Sequence, residues 1–143
     1  MPKGTATCNS FLALLYNATA WANIADNASA SPITSVYMAL ATASYGPTDT
    51  LATNETAYTN YVRQSVARTT SGWTAPSGGA TSNAAAIEYP ACGVTGATIT
   101  SAAVGKSTGS AAIFHYGDLN APIAVSLAIQ PRFPIGSATI TES

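Results

Sequence analysis

Apolar and polar positions along this chain fall into one stretch of helical period followed by many short stretches of strand period. From Asn9 to about Asp26, NSFLALLYNATAWANIAD, the apolar residues Phe11, Leu15, Ala18 and Ala22 recur on one face, with Leu14, Trp21 and Ala25 close beside it. This predicts an N-terminal helix over about 9–26, started by Thr7 or Asn9 and broken before Pro32. Residues 33–42, ITSVYMALAT, leave neither face polar and predict a strand buried on both sides. The segment 43–60 has no sustained period and many turn residues, so it reads as a long loop and a contact surface. Residues 61–67, YVRQSVA, alternate as a strand does.

Beyond that point the chain is a series of short strands, over 84–89, 97–104, 111–116, 123–129 and 135–141, each bounded by Gly, Pro, Asn or Asp. About seven short strands with connections too brief for crossover helices imply a mainly β chain. The expected form is an antiparallel β-sandwich of jelly-roll or Greek-key type with one N-terminal helix, and a flattened barrel is the alternative. Between the strands at 61–67 and 84–89 lies SGWTAPSGGATSNAAAIEYP, where Trp73 reads as an apolar anchor and Asn83 closes a turn. With 143 residues, a single domain spanning 1–143 is expected.

Composition narrows what such a fold can do. Charged residues are 8% of the chain, against about 25% in an average protein. Little like-charge repulsion then keeps copies apart, which suits a protein that lives packed against other subunits. The net charge is −1 and the five basic residues are scattered, so no stripe exists to follow phosphates and nucleic-acid binding is not expected. No apolar run approaches the roughly 18 residues of a membrane span, and the first residues lack an apolar signal core. Synthesis and assembly in a cytoplasm are therefore expected, with Cys8 and Cys92 as reduced fillers and the sequons at Asn17, Asn27 and Asn54 as chance matches.

The residues that could carry chemistry are few and isolated. His115 is the only histidine; Asp118 follows it, but no nucleophile elbow accompanies the pair and no second metal ligand lies at a useful spacing. The six carboxylates are spread singly, and Gly78-Gly79 precedes a strand rather than a phosphate-binding helix. Neither an enzyme nor a cofactor or metal protein is expected. Arg63 and Arg68 flank a strand and could pair with carboxylates across a subunit boundary. Tyr45, Tyr58 and Tyr61 suit interface anchors, with stacking on sugars as the other reading.

The order VYMALATA, a loop with PTD, YVRQSVA, GWTAPSGGATSNAAAIEYP and then FHYGDLNAPIAVSLA resembles a family of small tailed-bacteriophage proteins commonly labelled phage tail fiber proteins. The most specific blocks are SNAAAIEYP and YVRQSV. Tyr89 stands where that family usually has Phe, and Gly117-Asp118-Leu119 replaces a His-Gly-x-Leu pattern. The resemblance implies a virion structural protein with a β-sandwich core and supplies no catalytic residues. A single compact domain without repeats fits the capsid exterior better than a fibre shaft. The expectation is therefore a capsid decoration or cement protein that bridges the major capsid protein and associates with itself as a homotrimer. The alternative is a tail or tail-fibre component that binds host carbohydrate. The residues expected at the interface are Phe11, Leu15 and Trp21 on the helix, Tyr45, Tyr58 and Tyr61 in or beside the loop, and Arg63 and Arg68.

Overall fold

The structure, a computed structural model, describes residues 5–21, 33–106, 109 and 112–142. Its elements run α1 (Thr5–Tyr16), β1 (Ser35–Ala41), β2 (Gln64–Ala67), β3 (Ala80–Ser82), β4 (Ile87–Glu88), β5 (Ala97–Gly105), β6 (Ile113–Val125), β7 (Arg132–Phe133) and β8 (Thr139–Thr141). The class is the expected one, mainly antiparallel β with a single helix near the N-terminus. A four-stranded sheet has the order β2-β1-β5-β6, and two-stranded pairs join β3 to β8 and β4 to β7. The chain divides into two compact units. The first holds Met1–Ser35, Val66–Ile87 and Phe133–Ser143, and the second holds Val36–Ser65 and Glu88–Arg132.

In the first unit the helix is shorter than its sequence period suggests. Cys8, Leu12 and Tyr16, spaced four apart, form its buried stripe, while Phe11 and Leu15 lie beside them half-buried. The helix stops at Tyr16 because Ala18 turns left-handed (φ 52°) and the Thr19 N–H closes back on the Ala13 carbonyl at 3.1 Å. Trp21 follows outside the helix, and the expected extension over 22–26 lies outside the described residues. Tyr16 meets Trp73 edge to face at 4.8 Å between ring centroids, and Trp73 is fully buried, the anchor its size implies.

Asn83, also fully buried, ties three segments of this unit together. Its Nδ2 donates to the carbonyls of Ala85 and Pro134, each at 2.8 Å, and its Oδ1 accepts the Ala138 N–H at 2.9 Å. A buried amide so nearly satisfied fixes the turn that SNAA marks in the sequence. The Gly78-Gly79 turn of the β3 hairpin has both glycines left-handed (φ 62° and 79°). A Cβ at Gly79 would stand 2.9 Å from the Glu142 carbonyl oxygen, so no other residue fits there.

In the second unit β1 and β5 pair antiparallel with Leu40 opposite Ala102 and Ala39 opposite Ala103. Their alanines allow close approach of what covers them. Tyr45 and Leu51, both from the loop at 43–60, pack on Ala39, Ala41 and Ala103. The loop therefore lies down on the sheet instead of standing free. The PTD motif makes this possible: Pro47 and Thr48 sit inside a turn in which the Asp49 N–H donates to the Gly46 carbonyl at 3.2 Å and the Asp49 carboxylate accepts the Gly46 N–H at 2.7 Å.

Several strands differ from their expected extent. The strand at 61–67 is regular only over Gln64–Ala67, and Val62 is 55% exposed. Only Ile87–Glu88 of 84–89 is strand. The strands expected at 111–116 and 123–129 are one element, β6, because Gly117 and Asp118 pair with Ala102 and Ser101 where a turn was expected. The Ser101 hydroxyl donates to the Gly117 carbonyl at 3.0 Å and holds the register there. Leu119–Pro122 then form a wide bulge opposite Thr100 before pairing resumes at Ile123.

Candidate functional site

The expected interface residues separate into two groups, one in each unit. In the first, Phe11, Leu15 and Trp21 are half-buried, and Arg68 is only 7% exposed. Arg68 makes no ion pair among the described residues. Its guanidinium donates from Nε to the Leu15 carbonyl, from Nη2 to the Leu14 carbonyl and from Nη1 to the Ile33 carbonyl, each at 2.6 Å. Two of these acceptors belong to the last turn of α1, where a cation also meets the negative end of the helix dipole. Burial pulls the Arg68 pKa down, while the three carbonyls give each of its nitrogens an acceptor.

In the second unit Tyr45, Tyr58, Tyr61 and Arg63 gather around Glu55, a residue that sequence reasoning passed over. Glu55 reaches the sheet because the chain after left-handed Asn54 bridges β1, with the Thr56 N–H donating to the Leu40 carbonyl at 2.9 Å. Arg63 then clamps the carboxylate with both arms, Nε to Oε1 and Nη2 to Oε2, each at 2.7 Å. The pair is nearly closed off, with side-chain exposures of 8% for Arg63 and 19% for Glu55. The Tyr61 hydroxyl links it to the sheet, donating to Glu55 Oε1 at 2.8 Å and accepting the Leu40 N–H at 3.0 Å.

An aromatic stack continues from Tyr61. Its ring lies parallel to Tyr89 at 6.1 Å and edge-on to Tyr58 at 5.4 Å. The Tyr89 hydroxyl donates to the Met38 carbonyl at 3.1 Å and that of Tyr58 to the Pro90 carbonyl at 2.9 Å. Burial pushes the phenols upward. Tyr58 and Tyr45 rise to about 12, Tyr45 with a further push from the Glu55 carboxylate, while Tyr61 and Tyr89 are raised more. The hydrogen bond from Arg63 to Glu55 in turn raises the arginine.

Beside this cluster a shallow groove of about 570 Å³ is lined by Ala52, Glu55, Thr56, Ala57, Tyr61, Val62 and Arg63. Its wall is mostly apolar, and its one acid and one base neutralise each other. The arrangement has no nucleophile next to a base, and the carboxylate is fully engaged by donors. On β6, His115 and Asp118 are three positions apart on regularly paired strand and so face opposite sides of the sheet. No group of three or more His, Cys, Asp or Glu that could hold a metal ion occurs among the described residues.

A second surface of the same unit was also missed. Val94, Leu127 and Ile129 stand exposed at 85%, 70% and 43% on two segments joined by the Cys92 N–H to Ile129 carbonyl bond of 2.9 Å. The signal in the sequence was the absence of charge between Glu88 and Arg132 on either segment, which alternation alone does not report.

Set beside known proteins, residues 13–141 match the family model Gp80, whose description is Podophage GP4 fiber I protein gp80. No curated protein matches the chain significantly.

Proposed function

The chain belongs to this podophage fiber I family and is thus a structural protein of the phage virion, and on that premise we propose that it is a subunit of a fibre-type appendage that acts by association with its own copies and with neighbouring virion proteins. The observation that carries this reading is the uncharged surface bearing Val94, Leu127 and Ile129, since an exposed apolar patch on a virion protein is the means of docking it. Self-association of the chain with its own copies is part of the proposal. Antibody labelling of intact virions tests it: signal on the fibres supports the reading, and signal confined to the head surface overturns it.

Decoration of the capsid exterior, by bridging subunits of the major capsid protein, is the second reading. It is favoured by the low charge of 8% in a short chain without repeats. The same labelling separates the two. Sugar binding through the loop tyrosines loses support, because Tyr45 and Tyr58 are 6% and 2% exposed and the Tyr58 and Tyr61 hydroxyls are bonded within the chain. Host attachment through carbohydrate would need another surface.

A further inference from the structure

The second unit carries two paired segments that no charge interrupts. Segments 89–96 and 125–131 contain no Asp, Glu, Lys or Arg. Backbone bonds join them: Tyr89 N–H to the Pro131 carbonyl at 3.0 Å, Cys92 N–H to the Ile129 carbonyl at 2.9 Å and Ala128 N–H to the Cys92 carbonyl at 2.8 Å. Leu127 is held outward by a turn in which the Ile129 N–H reaches the Ser126 carbonyl at 2.9 Å with Ala128 left-handed (φ 63°). Single exposed aliphatic residues are ordinary on any protein, but three on two charge-free segments joined by backbone bonds are what a contact surface supplies.

Charge returns where the same two segments enter β4 and β7. There Arg132 and Glu88 have side chains 56% and 50% exposed, with Nε and Oε1 3.8 Å apart. That separation is too long for a hydrogen bond, and an open pair of this kind contributes little within the chain. Both groups are therefore available to a partner.

We infer that this face packs against the same face of a second copy of the chain, Arg132 of each copy meeting Glu88 of the other. The inference rests on the reading of a subunit that works by association and names its surface and its occupant. Charge complementarity selects the occupant. A neutral apolar centre with one positive and one negative group at its edge is complementary to itself, since reversal brings opposite charges together on both sides. A partner with a charged face would instead bury those charges against aliphatic side chains. With a net charge of −1, the copies hardly repel one another.

Sedimentation equilibrium of the purified full chain is the test. The wild type should associate reversibly, and Leu127→Asp or Val94→Asp should weaken association roughly 100-fold, because each change occurs twice in a reciprocal contact. Both positions are exposed, so at concentrations where every chain is monomeric the thermal midpoint of each variant should stay near that of the wild type. The charge test uses Glu88→Arg and Arg132→Glu as separate proteins. Each alone should associate less than the wild type, the first with two positive groups at the edge and the second with two negative ones. Their mixture should associate again, and neither chain of the mixture retains the internal pair. A monomeric wild type, undiminished association of Leu127→Asp, or a mixture no tighter than its components would each overturn the inference. None of these outcomes depends on where the protein sits on the particle, which virion labelling reads separately.

Discussion

Two buried arginines solve the same problem in different ways, one in each unit. Arg63 and Arg68 are about equally withdrawn from water, with a side chain 8% exposed in the first and a residue 7% exposed in the second. Arg63 meets a carboxylate through two parallel bonds of 2.7 Å, so its charge is cancelled where it lies. Arg68 meets three backbone carbonyls and no acid among the described residues, so its charge is solvated by peptide dipoles. The first arrangement leaves an ion behind when the arginine is removed; the second leaves three orphaned acceptors. A buried cation is thus no sign of an acid partner, and the groups left without partners predict what its loss costs.

The largest expected effect follows from that difference. Arg68→Met should lower stability by about 3–4 kcal/mol, since the carbonyls of Leu14, Leu15 and Ile33 all lose a charged donor, and two of them end α1. Urea denaturation followed by circular dichroism measures it. Arg63→Met should cost less, about 2 kcal/mol, because Glu55 keeps the Tyr61 hydroxyl as donor and is 19% open to water. Equal losses for the two variants would break the distinction. Glu55→Gln combined with Arg63→Met should cost less than the two singles together by about 1–2 kcal/mol, the signature of a direct pair. Arg68 has no such partner among the described residues, so its loss should add to that of Glu55→Gln without coupling.

Tyr61→Phe sharpens the comparison at a smaller scale. It removes the group that accepts the Leu40 N–H and donates to Glu55, while the ring stack with Tyr89 remains. A loss of about 1.5 kcal/mol is expected from the unpaired buried N–H and the weakened carboxylate. A loss below about 0.5 kcal/mol in the same urea experiment would mean that water replaces the hydroxyl and that the Glu55 site is not closed.

How much of this could be read from the sequence differs by element for physical reasons. β1 was legible because an apolar run without polar alternation has few ways to fold, β5 because Gly96 and the turn residues at 106–109 bound it, and Trp73 and Asn83 because large or turn-forming side chains mark their own positions. The helix was found but misplaced, since Phe11, Leu15 and Ala18 continue an apolar face that the left-handed Ala18 ends. Gly117-Asp118 read as a turn, and sheet pairing to Ala102 and Ser101 overrode that local preference. Of the site, Tyr58, Tyr61 and Arg63 stand out in the sequence as separate interface candidates, but Glu55 does not. A carboxylate eight residues before its arginine, across an irregular loop, has no periodic signature. Arg68 was read as a seeker of acids because carbonyl acceptors exist at every residue and leave no mark in a sequence.

The smallest expected effect is the dependence on alkaline pH, and it too should divide the two arginine sites. Tyr58 and Tyr45 have their pKa values raised to about 12 in the folded chain, mainly by burial, against about 10 when unfolded. A raised value means that the folded state holds the proton more tightly. The stabilising contribution is therefore complete below pH 10 and is lost as pH rises toward 12, where the unfolded chain ionises first. Four raised tyrosines, Tyr45, Tyr58, Tyr61 and Tyr89, belong to the unit that contains Arg63, against one, Tyr16 at the end of α1, in the unit that contains Arg68, and among the described residues Arg68 itself is bonded only to carbonyls, which do not titrate. Amide hydrogen exchange between pH 9 and 11.5, corrected for intrinsic rates, should show β1 and β5 losing protection before α1 does. Tyr58→Phe should make that loss shallower, because a ring that cannot ionise removes its share of the pH dependence. Loss of protection in α1 at or before that of β5 would place the alkaline weakness at Tyr16, the buried phenol that ends α1, instead of at the tyrosines around Glu55.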